Sequence, residues 1–315
     1  MNEVAGLRPD DRWIRSLRSK KNKLDPAKPA GWFLEYERSR SGSADLTATV
    51  FFTNRECPFS CLMCDLWKNT TDYTVKKDHL LAQLESVRDE IQSARHLKLY
   101  NSGNFFDSKA IPEDAYESIA NWAEPFKTLI VECHPKLIDE KCLHFRDLIK
   151  PELQVAIGLE TANADMLSRL NKKMNLNDFR KSVRYLNDHS ISVRAFILLN
   201  LPWMSREENI LWAKRSIDFS FDCGAECCVV IPTRTGNGAM DWLNGKGYFN
   251  EPGIESLEEV AEYGVKLGEG RVFADLWDLH KFSRCEKCYE SRKERLNQLN
   301  LTQVIGEKIS CNCLI

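Results

Sequence analysis

Three thiols fall within eight residues in Cys57-Pro58-Phe59-Ser60-Cys61-Leu62-Met63-Cys64, a C-x₃-C-x₂-C spacing directly after the apolar run 47–52. Thiolates are soft ligands that suit zinc and iron–sulfur clusters, and one tight loop can wrap them around three corners of a four-iron cube. Structural zinc usually takes four protein ligands, so three cysteines leave one metal corner open for chemistry. A second group, Cys285 and Cys288 with Cys311 and Cys313, forms two close pairs on either side of a helix-like segment at 290–299. That pattern matches a four-thiolate site, holding either zinc as a staple or a second iron–sulfur cluster. The remaining cysteines, Cys133, Cys142, Cys223, Cys227 and Cys228, read as small buried or half-buried side chains.

The elements that must position these groups alternate along the chain. β-Branched apolar runs at 46–53, 96–101, 128–133, 153–159, 193–200 and 227–231 predict six short strands. Amphipathic segments at 76–94, 112–124, 139–149, 164–170, 176–189 and 206–223 predict the helices between them. Several carry start signals, with Pro112 at a first turn and Asn175 or Asn177 and Ser205 where N-caps stand. Such repetition demands right-handed crossovers and a parallel sheet, which predicts an α/β fold, a partial (β/α)₆ TIM-like barrel over 46–270. A basic, helical-looking N-terminal extension (1–45) and a cysteine-rich C-terminal extension (271–315) flank it, the first expected to cap the barrel bottom. In such folds chemistry collects at the carboxyl ends of the strands, where the first cysteine motif falls.

Composition narrows the partners. The 315 residues are 43% hydrophobic and 29% charged with a formal net charge of −2, so the chain can bury a large core and is not broadly basic. A nucleic-acid partner needs a local patch, and the arginines and lysines between Arg8 and Lys23 are the candidate. No apolar run approaches the roughly 20 residues of a membrane span. The expectation is a cytoplasmic protein, in which close-spaced cysteines ligate metal rather than form disulfides.

The cysteine motif after a first strand, in a six-fold β/α alternation, resembles the radical S-adenosylmethionine (SAM) superfamily. The resemblance implies a [4Fe-4S] cluster on Cys57, Cys61 and Cys64 and SAM chelated at the open iron. It further implies reductive cleavage of SAM to a 5′-deoxyadenosyl radical, hydrogen abstraction from a substrate, and a flavodoxin- or ferredoxin-type electron donor. By resemblance, the loop Asn101-Ser102-Gly103 meets the SAM amino group and Glu132 pairs with it. Glu160 holds the ribose hydroxyls, Lys172 answers the SAM carboxylate, and Arg194 is a further cofactor contact. Met63 lies against adenine, with backbone groups at Asn200 and Ile231. An ammonium paired with a carboxylate is a charge-assisted contact, which makes the Lys172 assignment chemically sound.

Within the superfamily, residues 101–107, Gly158-Leu159-Glu160-Thr161 and the cysteine-rich tail look similar to the group around the radical SAM component of archaeosine synthase and Elongator-like proteins. The implied substrate is a modified nucleobase or nucleoside, in transfer RNA or free, or a related small molecule. Two alternatives stand beside it: a radical enzyme acting on a peptide or metabolite, and a non-catalytic metal-binding or redox-sensing protein.

Overall fold

The computed structural model describes residues 8–311. One sheet of eight strands runs in chain order: β1 (Gly31–Arg38), β2 (Ala44–Phe51), β3 (His96–Tyr100), β4 (Thr128–Glu132), β5 (Glu152–Glu160), β6 (Ser192–Leu199), β7 (Cys227–Pro232) and β8 (Arg271–Ala274). β1 pairs antiparallel with β2, and every later neighbour is parallel. Helices α1 (Asp11–Ser16), α2 (Lys77–Glu85), α3 (Arg88–Ile91), α4 (Tyr116–Ala123), α5 (Glu140–Leu148), α6 (Ala164–Arg169), α7 (Leu176–Asp188), α8 (Arg206–Asp222), α9 (Ala239–Gly245), α10 (Ile254–Leu267) and α11 (Glu286–Thr302) complete the order.

The six expected strands are β2 to β7, so the fold is the expected curled α/β half-barrel, widened by one strand at each edge. β1 comes from the segment expected to be a helical extension, and β8 from the cysteine-rich one. Strand alternation explains the curl. Val50, Leu99, Val131, Ile157, Ile197 and Val230 point outward and are fully buried under the helices. The two edges approach each other where Arg271 on β8 donates to the Arg38 carbonyl on β1, and α11 packs across both strands.

The expected helix starts hold at Asn175 and Ser205, each a capping box closed by Asp178 or Glu208. The N-terminal segment does not cap the barrel bottom. α1 instead buries Ile14 beside Leu62, Leu170, Leu201 and Met240, over the cysteine loop. The reason is apolar: Ile14 with Trp13 and Leu17 gives this basic stretch one greasy face, which packs against that second, smaller core.

Candidate active site

The loop carrying Cys57, Cys61 and Cys64 leaves β2 at the carboxyl edge of the sheet and is braced from many sides. Leu62 N–H donates to Leu170 O at 2.9 Å. Asn237 Nδ2 donates to Leu62 O at 2.8 Å and Cys64 O at 3.3 Å, and Trp67 Nε1 to Cys64 O at 3.1 Å. Asn171 Nδ2 reaches Ser60 O at 2.7 Å. Asn104 Nδ2 lies 3.1 Å from the Cys57 sulfur, and Gly103 lets its backbone approach, since a Cβ there would stand 3.1 Å from the Cys57 Cβ.

The thiols are desolvated. Burial pushes Cys57 and Cys61 up to about 11 and Cys64 up to about 12, so they ionise when a cation stands beside them. Lys172 already favours the Cys61 thiolate. Among the described residues, the ligand atoms that converge within 4.8 Å for a single ion are those of Cys285, Cys288 and Cys311. Cys57, Cys61 and Cys64 stand wider apart than one ion needs, which fits a cluster whose irons each take one thiolate.

The strand ends beyond the loop hold the other expected residues, bonded here to groups of the protein itself. Glu132 Oε1 accepts the Asn101 N–H at 2.7 Å and the Gly103 N–H at 3.1 Å. One carboxylate oxygen thus shapes the loop expected to meet SAM, where Ser102 takes a left-handed φ of 51°. Burial raises the Glu132 carboxyl despite those amides. Glu160 and Lys172, expected to serve separate SAM groups, are bonded to each other at 2.5 Å and both buried. Glu160 reaches that position from a left-handed φ of 66° at a bulge in β5. Burial opposes the Lys172 charge, but Glu160 more than compensates and its ammonium is held above the ordinary range.

His134, two residues after Glu132, carried no role in the sequence. Its Nδ1 accepts the Lys136 N–H at 3.2 Å, which makes Nε2 the protonated nitrogen that donates to Lys172 O at 2.8 Å. The ring stacks 4.0 Å from Phe59 of the cysteine loop, and burial lowers it to about 3, so it stays neutral. Asn104 joins this group, accepting the His134 N–H at 2.7 Å through Oδ1. The Asn104 signal was present as a second asparagine in the expected loop, but only the fold shows that it links Cys57 to His134.

Among the described residues, buried Asn101 has both side-chain polar atoms unpartnered, and the Thr233 hydroxyl beyond β7 is likewise unpaired. Buried orphans at the open edge fit a polar ligand seated there. Asn200 holds a left-handed φ of 69°, and its side chain donates to the Asn250 carbonyl. Ile231 lies half-buried near the end of β7, and half-buried Met63 packs with the Leu62 core.

Arg194 is elsewhere. It stands near the amino end of β6, donating to Glu37 at 2.5 Å and to Gln154 at 3.0 Å. Lys98 bonds Glu37 at 2.6 Å and Glu35 at 2.7 Å in the same network. This ion-pair floor lies inside the barrel toward the amino ends of the parallel strands, and although burial raises the Glu37 carboxyl, Arg194 and Lys98 hold it well below the usual carboxylate range. Arg194 is therefore a floor residue rather than a cofactor contact. Arg234, in the loop after β7, pairs with Asp275 at 2.7 Å and donates to the Trp277 carbonyl at 2.7 Å.

Above the floor the barrel is hollow. Phe51, Tyr100, Glu132, Phe196, Leu198 and Ile231 on the inner face are partly exposed, whereas their outward neighbours are sealed. Trp277, Phe33, Phe51, Tyr100 and Phe196 form a continuous arc, with successive ring centroids 5.6, 6.0, 6.1 and 6.2 Å apart. The sequence alone did not single out this arc, because its members come from five separate segments.

At the other cysteine group, Cys285 caps α11 and its sulfur lies 3.8 Å from that of Cys311, with Cys288 alongside. Cys311 stands as a disulfide here, so ligation requires its reduced form. Cys313, the fourth expected ligand, lies outside the described residues.

No protein-family model matches the chain. In sequence it is similar to a protein of unassigned function from Methanocaldococcus jannaschii, 22% identical over 95% of this chain and 89% of that protein. The archaeosine synthase subunit beta of Methanosarcina acetivorans is 23% identical over 70% of this chain and 67% of that protein. Among solved structures, methylornithine synthase (PylB) matches with a TM-score of 0.54 at 12% identity, over 87% of this chain and 77% of that one. Elp3 from Methanocaldococcus infernus matches with a TM-score of 0.50 at 16% identity, and the chain spans 70% of its own length but only 58% of that protein. The fold of this chain is that of both structures. No described helix is long and apolar enough to cross a membrane.

Proposed function

We propose that the chain is a radical SAM enzyme acting on a modified nucleobase or nucleoside. The observation that carries the first half is the convergence, at one sheet edge, of three buried thiols with the Glu160–Lys172 pair and the orphaned Asn101. When bound, a four-iron cluster and SAM supply one-electron cleavage of a carbon–sulfur bond and a 5′-deoxyadenosyl radical. The residues do the rest. Cys57, Cys61 and Cys64 hold the cluster, with Asn104, Asn171 and Asn237 fixing their loop. Glu132 shapes the Asn101–Gly103 loop that would receive the SAM amino group, and Lys172 and Glu160 would meet its carboxylate and ribose. The inner wall excludes water from the reacting carbon.

The aromatic arc supports a planar ring as the substrate's recognised part, since rings stack on such walls largely through dispersion and burial. The archaeosine synthase relative accords with that reading. The test is anaerobic reconstitution with iron and sulfide, reduction with dithionite, and chromatography for 5′-deoxyadenosine. Formation that disappears in Cys61→Ala supports the enzyme; none from a four-iron wild type, with purine and deazapurine nucleosides supplied, sinks it.

The Cys285 group supports a second metal. Tetrahedral zinc with bonds of about 2.3 Å places its sulfurs about 3.8 Å apart, the separation found between Cys285 and Cys311. A single zinc that staples the tail to α11 is the reading this spacing favours.

A further inference from the structure

The segment 8–28 is tied to the cysteine loop beside each of the three thiols. Arg18 pairs with Glu56, the residue before Cys57, at 2.6 Å, and Lys21 bonds the same carboxylate at 2.6 Å. Arg15 Nε donates to the hydroxyl of Ser60, the residue before Cys61, at 2.9 Å. Arg18 also lies 4.8 Å over the Trp67 ring, whose indole N–H donates to the Cys64 carbonyl. Asn22 N–H continues the seam to Lys68 O at 2.9 Å. The segment is thus the outer cover of the cluster loop.

Its charge is unlike that of the rest of the chain. Eight lysines and arginines stand against three aspartates between Arg8 and Lys28, a net of +5, in a protein whose formal charge is −2. The inward cations Arg18 and Lys21 are consumed by Glu56. The outward Arg12, Lys20, Lys23 and Lys28 are exposed and make no ion pair among the described residues. A positive field therefore lies over the wall that separates the cluster loop from solvent.

Resting on the radical SAM reading, we propose that this cover is the docking face for an acidic one-electron carrier protein of the flavin or iron–sulfur kind. The carrier gives up one electron per turnover. That electron joins one from the broken carbon–sulfur bond as the thioether lone pair of methionine, and the other bond electron stays on the 5′ carbon. Electron transfer favours the thinnest wall, and complementary charge raises encounter rates while permitting the small, short-lived interfaces that suit such carriers. An RNA would also seek cations, but these cations cover the cysteine loop, and the side chains of Arg15, Arg18, Lys21 and Asn22 bond to that loop and the segment just after it rather than to the aromatic arc where a base must lie.

The test uses the full chain with its cluster and the fourfold variant R12E/K20E/K23E/K28E, with flavodoxin as the probe. Surface plasmon resonance in low and moderate salt should show wild-type binding that fades as salt rises, and about tenfold or weaker binding by the variant. Formation of 5′-deoxyadenosine driven by reduced flavodoxin should fall about tenfold in the variant, while the dithionite-driven rate is unchanged. Equal flavodoxin binding by variant and wild type overturns the proposal. So does retention of transfer RNA, but not flavodoxin, that the variant loses. Failure of the dithionite reaction in wild type counts against the enzymatic reading instead, and the binding measurement still decides the surface.

Discussion

The Lys172 ammonium and the Glu160 carboxylate form a buried pair at 2.5 Å, and Gly158 is what leaves room for it. A Cβ at 158 would stand 2.2 Å from Glu160 Oε1 and 2.6 Å from Lys172 Nζ. Removing one partner strands a buried charge, so Glu160→Gln or Lys172→Met should cost about 3–5 kcal/mol in urea unfolding. The double variant should recover most of that loss, because neither charge is then left unpaired. SAM affinity, measured by equilibrium dialysis on the reconstituted protein, should stay at least about tenfold weaker in the double variant and in Gly158→Ala. Wild-type SAM affinity in the double variant would mean that the pair is purely structural.

His134 makes a pH prediction. Burial lowers it to about 3, whereas an unfolded histidine titrates near 6.5. Between those values the unfolded chain binds the extra proton, so this residue makes stability fall as pH drops from about 6.5 toward 3, and adds no slope above 6.5. The slope is at most about 1.4 kcal/mol per pH unit. In His134→Gln that contribution should vanish. Denaturant midpoints at pH 7, 6, 5 and 4 check it: parallel profiles for the two proteins would show that His134 is not held neutral.

Much of this architecture is legible in the sequence. The β-branched runs gave β2 to β7 because each is followed by a helical segment that packs on the sheet, so local signals and tertiary packing agree there. β1 was hidden because its edge position leaves Trp32 and Tyr36 exposed and its inner face carries Glu35 and Glu37, which disguises a strand as a polar linker. Arg194 was misplaced for a related reason. The resemblance assigned it to the cofactor, and only its ion pair with Glu37, across 157 positions of sequence, shows that it lies at the floor. The cysteines, Glu160 and Lys172 were readable because their spacing is short, whereas Asn104 and the aromatic arc act through long-range contacts.

Asn104 connects the Cys57 sulfur to the His134 backbone. Asn104→Leu keeps bulk and removes both bonds, so it should destabilise by about 1–3 kcal/mol. Loss of a donor to the sulfur should also show in the cluster itself. The visible absorbance of the reconstituted variant should bleach faster in air than wild type, with Asn104→Gln intermediate. Identical bleaching would remove Asn104 from any part in protecting the cluster.

Arg194→Met separates floor from cofactor site. The substitution leaves Glu37 with Lys98 as its remaining cation, so unfolding free energy should fall by about 3 kcal/mol. Iron content and SAM affinity should match wild type, because the floor lies at the amino ends of the strands. A selective loss of SAM binding with unchanged stability would return Arg194 to the cofactor site.

The cysteine tail yields a stoichiometry. With zinc at Cys285, Cys288 and Cys311, the reconstituted protein should carry about four irons and one zinc per chain by plasma emission spectroscopy. Cys285→Ser/Cys288→Ser should lose the zinc and keep the four irons. A metal there would hold the tail to α11, where Arg295 already donates to the Glu307 carbonyl at 2.6 Å and to Glu262 at 2.6 Å. Those bonds survive ligand loss, so the variant should melt a few degrees lower rather than unfold, and limited proteolysis should cut the tail first. About eight irons and no zinc in wild type, falling to four in the variant, would make this a second cluster, and the tail would then belong to the redox chemistry rather than to the scaffold.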